Sequence, residues 1–149
     1  MEDATGTPTV NPSTYYTIKN VNSGQMMDVN GASTADGASV LQWPSTGGAN
    51  QQWNIVPVSG QLYKIVSRNS GKVLDINGGS HWKGTTLQQY AYGGGNNQLW
   101  YFEQTSGGYR IRNFENRQTL EVSNASTANG AAIDQWMPLN QSNQVWTIQ

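Results

Sequence analysis

The sequence contains no cysteine. Disulfides, thiolate nucleophiles and the Cys-built structural zinc sites are therefore excluded. Histidine is nearly missing as well: His81 stands alone, so no multi-histidine metal centre can form. Charge is sparse, with 8 Lys and Arg against 9 Asp and Glu in 149 residues and a net charge of −1. The cations are scattered, and no basic patch exists that could follow a phosphate backbone. Nucleic acid is not an expected partner. No apolar run approaches the ~18 residues of a membrane-spanning helix. Calcium would need clustered oxygen ligands, and the acids show no such cluster. No cofactor is expected.

What is present is polar and aromatic. Asn, Gln, Ser and Thr are abundant beside 17 Gly, which alone would permit disorder. Six Trp and seven Tyr argue against it, because disordered chains are poor in aromatics. The length suits one domain with a real core. Met1 is followed by Glu2 and Asp3, without the basic stretch and apolar run of an export signal. Residues 1–14, with their Thr, Pro, Gly and Asn, read as a flexible leader or inter-module linker, and 15–149 as the domain.

Internal repetition decides the architecture. Tyr16 to Ile55, Tyr63 to Phe102 and Tyr109 to Ile148 align without gaps, at offsets of 47 and then 46 residues. The repeats are placed at 15–57, 58–104 and 105–149. In each, apolar residues alternate with period two: Tyr16 with Ile18, Met27 with Val29, Trp53 with Ile55, and their counterparts. Val40, Leu87 and Ile133 mark one further strand per repeat. Period two in aromatic and β-branched residues means strand. Gly37, Gly84 and Gly130 supply turn chemistry. No segment holds a helical period. About twelve strands result, and three units are too few for a propeller. The expected fold is all-β: a closed barrel with pseudo-threefold symmetry, the β-trefoil, which leaves few free edges.

Three motifs of the form QxW sit at repeat spacing: Gln51-Gln52-Trp53, Gln98-Leu99-Trp100 and Gln144-Val145-Trp146. Each follows an Asn and lies downstream of a carboxylate and an aromatic. Over about Tyr15 to Gln149 the chain resembles the ricin B-chain-like lectins, also called carbohydrate-binding module family 13. That resemblance implies the β-trefoil and binding of galactose, GalNAc, xylose, arabinose or related sugars, often through more than one repeat.

The QxW tryptophans alternate with core residues and are assigned to packing. The acids Asp28, Asp75 and Glu121 hold equivalent places at strand ends. A carboxylate can accept hydrogen bonds from two adjacent sugar hydroxyls, each worth roughly 1.5–3 kcal/mol. Fifteen residues later come Trp43, Tyr90 and Trp136, flat platforms for the apolar face of a pyranose. The resemblance implies both roles. It also implies that Asn50, Asn97 and Asn143, and in some members Gln51, Gln98 and Gln144, bond the sugar or orient the acid; turn Asn and strand-capping Gln are the plain alternatives. A Gln two residues before the aromatic is kept only as Gln88, where the other repeats have Leu41 and Asp134. The third repeat also carries Glu121 for Asp, whose extra methylene disturbs a fixed hydroxyl geometry. Asp134 either compensates or is a surface residue. His81 and Trp82 follow Asp75 in sequence, so Trp82 is expected to wall the second site as a subsite, unless it is a plain exposed loop residue.

These residues point to non-catalytic binding of mono-, oligo- or polysaccharide, by a module tethered to a secreted glycoside hydrolase. A free-standing lectin for galactose or GalNAc glycans on cell surfaces would use the same chemistry. A two-carboxylate glycosidase is disfavoured, because acids related by threefold symmetry lie far apart. The acid–aromatic pairing likewise counts against a protease-inhibitor trefoil. Secretion is expected for either sugar-binding reading.

Overall fold

The computed structural model describes residues 6–149. Twelve strands build a β-trefoil. The first repeat supplies β1 (Ile18–Asn20), β2 (Met26–Val29), β3 (Val40–Trp43) and β4 (Trp53–Ser59). The second supplies β5 (Leu62–Ser67), β6 (Val73–Ile76), β7 (Leu87–Tyr90) and β8 (Trp100–Thr105). The third supplies β9 (Gly108–Asn113), β10 (Thr119–Val122), β11 (Ile133–Trp136) and β12 (Trp146–Ile148). The alternation in the sequence thus becomes four strands per repeat, as the repeat pattern predicts.

Six strands close a barrel. β4 pairs with β5, β8 with β9 and β1 with β12, all antiparallel, and single registers join β5 to β8 and β9 to β12. The bridge Tyr16↔Trp53 completes the ring. The other six strands form three hairpins, β2–β3, β6–β7 and β10–β11. The bridges Ser39↔Gln88, Leu41↔Ala132 and Thr86↔Asp134 tie these hairpins into a triangle. Closure leaves few strand edges open to another chain.

The core is a single cluster that draws the same positions from each repeat, such as Ile18, Ile65 and Ile111. Trp53, Trp100 and Trp146 are wholly buried in it. Burying one such indole withdraws about 150–250 Å² from water, roughly 4–6 kcal/mol of transfer free energy. Each indole also donates Nε1–H to a backbone carbonyl: Met27 at 3.2 Å, Leu74 at 3.2 Å and Leu120 at 3.0 Å. Those carbonyls immediately precede Asp28, Asp75 and Glu121. The core Trp therefore fixes the strand that carries each acid.

The expected leader departs from its reading. Residues 1–5 lie outside the described residues, but Thr7 and Pro8 are buried and Val10 packs on the core. Asn11 donates its backbone N–H to the Tyr16 hydroxyl at 2.8 Å, and Asn54 donates to the Thr14 carbonyl at 2.8 Å. An apolar Pro–Val pair close to an uncovered barrel wall gains more by packing than by trailing in water. The described part of this segment belongs to the domain.

Candidate functional site

Each hairpin positions one acid. Asp28, Asp75 and Glu121 lie on β2, β6 and β10, directly opposite Leu41, Gln88 and Asp134 on β3, β7 and β11. Just past each acid the chain tightens into a 3-10 turn, at Asn30–Ala32, Asn77–Gly79 and Ser123–Ala125. Two consecutive residues of each turn are left-handed: Gly31 (φ 62) with Ala32 (φ 53), Gly78 (φ 66) with Gly79 (φ 63), and Asn124 (φ 56) with Ala125 (φ 52). Glycine and asparagine tolerate that region best. A second 3-10 turn brings in the Asn-Gln pair of each QxW motif.

The outcome is three congruent open cavities. The first, about 410 Å³, has Asp28 and Asn50 inside and Trp43 at the rim. The second, about 450 Å³, sets Asp75, Gln88 and Asn97 beneath Tyr90. The third, about 310 Å³, has Glu121, Asp134 and Asn143 with Trp136. Trp43 and Tyr90 are 42% and 44% exposed, whereas Trp136 is half-buried. Acid, Asn and aromatic thus converge in every repeat.

The three motif glutamines clamp the acids. Gln51, Gln98 and Gln144 are buried. Their Nε2 groups donate to Asp28 Oδ2 at 2.8 Å, Asp75 Oδ2 at 2.8 Å and Glu121 Oε1 at 3.1 Å. The same nitrogens also donate to the carbonyls of Pro44, Ala91 and Met137. Their Oε1 atoms accept the backbone N–H of Thr46, Gly93 and Leu139. Both ends of each amide are bonded within the protein, so these residues hold the acid and the rim loop. The asparagines anchor likewise, donating Nδ2 to Val29, Ile76 and Val122 carbonyls at 3.1 Å each. Their Oδ1 atoms are the groups left for the cavities.

The position opposite the acid separates the sites. Gln88 donates Nε2 to Asp75 Oδ1 at 3.0 Å, so in the second repeat both carboxylate oxygens already accept a bond. Leu41 gives Asp28 no such partner. Burial raises the Asp28 pKa above the ordinary carboxylate value, partly offset by bonds from Gln51 and Asn50. In the third repeat Asp134 is no surface residue. It is buried against Glu121, and its pKa is raised to about 8 by loss of solvent, then by its hydrogen bond and charge repulsion with Glu121. Two carboxyls in contact cannot both ionise at low cost, so the pair shares a proton. The longer Glu121 side chain still reaches Gln144, keeping the clamp seen in the other repeats.

His81 and Trp82 lie beside the third repeat, contrary to the expectation that they wall the second site. Their loop is sewn there by Gln118 to the His81 carbonyl, Asn116 to the Ser80 carbonyl, and Gln135 to the Ser80 and Trp82 carbonyls. His81 also pairs with Glu115 at 3.5 Å. Trp82 is 82% exposed and lines neither the second nor the third cavity. The same handover recurs around the barrel. Gln89 holds the loop at Ser33 and Ala35, and Gln42 holds the loop at Ser126 and Ala128. Gln42, Gln89 and Gln135 are thus buried stitches between neighbouring repeats. Their threefold recurrence one residue before each aromatic is the sequence signal for this role.

Among the described residues no cluster of three or more His, Cys, Asp or Glu could hold a metal ion, and no helix is long and apolar enough to cross a membrane. Comparison with curated proteins finds no match. Among solved structures, a designed threefold-symmetric protein, ThreeFoil, is 40% identical with a TM-score of 0.88, over 90% of this chain and 96% of that one. An exo-beta-1,3-galactanase from Clostridium thermocellum is 35% identical with a TM-score of 0.90, over 94% of this chain and 31% of that one. This chain therefore spans about a third of the galactanase. A Macrolepiota procera ricin B-like lectin, solved with lactose, is 25% identical with a TM-score of 0.80, over 95% of this chain and 99% of that one. The model of the ricin-type beta-trefoil lectin domain-like family matches residues 7–90 and 96–149, which takes in most of the chain, and the chain belongs to that family.

Proposed function

We propose that this protein binds carbohydrate without transforming it, through one shallow site per repeat. The observation that carries the reading is the threefold recurrence of one cavity with a clamped acid inside and an aromatic at its edge. The acid accepts hydroxyl hydrogen bonds, and the aromatic packs on the C–H face of the ring. A site of this size and openness binds weakly, at about 0.1–10 mM, corresponding to roughly −3 to −5 kcal/mol. Several sites on one polymer raise the apparent affinity without new contacts.

The ligand class in this reading is a polysaccharide containing galactose, arabinose or xylose. The protein acts as a secreted module that carries an attached glycoside hydrolase to its substrate. The likeness to one part of a galactanase supports it. A free-standing lectin for galactose or GalNAc glycans on cell surfaces is the second reading, favoured by the likeness to a lectin of matching length solved with lactose. Hydrolysis by the Glu121–Asp134 pair is not part of either. Glycosidase carboxyls stand about 5–9 Å apart around the scissile bond, whereas these two hydrogen-bond each other.

Affinity electrophoresis through gels containing galactan, arabinogalactan, arabinan or xylan tests the reading. Retardation in one gel, relieved by its free monosaccharide, is the expected outcome. Free migration of the folded protein in all of them would overturn the polysaccharide-module reading. Agglutination of cells, inhibited by galactose, would move the assignment to the free-standing lectin.

A further inference from the structure

The third cavity has a chemistry that the other two lack. Its repeat places two carboxyls face to face in the β10–β11 register, Glu121↔Asp134, where the first has Asp28↔Leu41 and the second Asp75↔Gln88. Neither carboxyl is neutralised by the protein: among the described residues, no Lys, Arg or His forms an ion pair with Glu121 or Asp134. Ser123 gives Asp134 a hydrogen bond, and among the described residues the nearest elements bring no free cation. His81 is taken by Glu115 at 3.5 Å, and Lys83 lies over the Trp136 ring, 5.3 Å from its centroid. Thr86 on the neighbouring β7 side and Ala132 preceding β11 carry no charge.

A second observation is independent of the acid pair. Asn143 is only 3% exposed, against partly exposed Asn50 and Asn97, and its Oδ1 has no partner. Its Nδ2 is committed to the Val122 carbonyl at 3.1 Å, so a flip of the amide would set two oxygens against each other. Asn143 lines the same cavity as the acid pair. A buried acceptor left unpaired is costly, so it marks where a donor belongs.

We infer that the third repeat takes an amino sugar with a free, unacetylated amine, whose ammonium group enters between Glu121, Asp134 and Asn143 while its ring packs at Trp136. A neutral hydroxyl must compete with the proton that the two carboxyls share. An ammonium brings three N–H donors for three groups of acceptors, and its charge lets both carboxyls ionise. In the first site an ammonium would meet one carboxylate and the methyls of Leu41. In the second it would meet a single carboxylate, already accepting from Gln88 and Gln98, with no second acid opposite. Acetylation removes the charge and two of the three donors. The inference rests on the carbohydrate-binding reading and assigns the ligand of one of its sites.

The test follows backbone and indole NMR signals of the whole chain during titration with D-galactosamine, N-acetylgalactosamine, D-galactose and methylammonium chloride, at mildly acidic pH. Galactosamine is expected to shift third-repeat signals, such as Asn124, Leu139 and the Trp136 indole, at about tenfold lower concentration than galactose. Asp134→Asn should erase that preference, and the first- and second-repeat signals report whether the variant is folded. Equal binding of galactosamine and galactose in the third repeat, or a preference that survives Asp134→Asn, overturns the inference alone. Methylammonium binding as tightly as galactosamine overturns the sugar part by showing a bare cation site. If no sugar, neutral or charged, moves a signal in any repeat, the carbohydrate-binding reading itself has failed.

Discussion

The second and third sites share a backbone and differ in what faces the acid. In the second, Gln88 answers Asp75 with a donor, and the carboxylate is held by amides on both oxygens. In the third, Asp134 answers Glu121 with another acid, and the two must share a proton. The Asn, the motif Gln and the core Trp make equivalent anchoring bonds in both. Scaffold and specificity are therefore separable. The QxW residues secure the acid, and one cross-strand neighbour sets the electrostatic character of the cavity.

Removing the acid from the better-matched site is the most severe way to probe this comparison. Asp75→Ala should weaken monosaccharide binding at the second site by about 100-fold, since at least two charge-assisted bonds are lost. Site-resolved NMR titration would read it, and the third site should keep its affinity. Retained binding at the second site would mean that Tyr90 rather than the acid dominates there.

Relieving the acid pair should change stability in a pH-dependent way. Asp134 has its folded pKa raised to about 8 from an unfolded value near 3.8, so the folded state holds its proton more tightly. Between those values the unfolded state binds fewer protons, and stability falls as pH rises. Asp134→Leu, which copies the first repeat, should stabilise the protein by roughly 1–4 kcal/mol at pH about 8. The gain should shrink towards pH about 4. Thermal melts across that window check both the sign and the slope. A gain independent of pH would assign the effect to packing and not to the carboxyl pair.

Gln88→Leu would convert the second site towards the first. It frees Asp75 Oδ1 but leaves the carboxylate less firmly oriented, so a change under about tenfold in sugar affinity is expected. Calorimetry with the monosaccharide would resolve it. The first site should also lose affinity on mild acidification, because burial raises the Asp28 pKa and a protonated Asp28 accepts poorly. A pH series of the same titrations would show the loss. The smallest effect belongs to Trp82→Ala. Trp82 lines neither cavity, so second-site affinity should be unchanged within about twofold.

Much of this organisation is legible in the sequence. The offsets of 47 and 46 residues and the alternation around each Trp contain the strand count and the threefold plan. The recurrence of acid, aromatic and Asn foreshadows three cavities, because equivalent positions in a repeat fold into equivalent places. For Gln51, Gln98 and Gln144 the sequence leaves open whether the amide bonds the sugar or orients the acid. Spacing places them near the acid, but only the folded structure reveals that both ends of the amide are bonded within the protein.

Trp82 shows the limit from the other side. Adjacency in sequence suggests the second site, yet its loop crosses to the third repeat because Gln135, Asn116 and Gln118 capture its carbonyls. Thr7, Pro8 and Val10 lie in a stretch with the composition of a linker and pack nonetheless, because the wall they cover is a product of folding. What the sequence alone determined was the repeat, the strands and the inventory of site residues, since these follow from period and composition. Only the tertiary structure decided which acid faces Leu41, Gln88 or Asp134 and which loop serves which site. Those pairings depend on cross-strand register and on hydrogen bonds between segments distant in the chain, which no local pattern encodes.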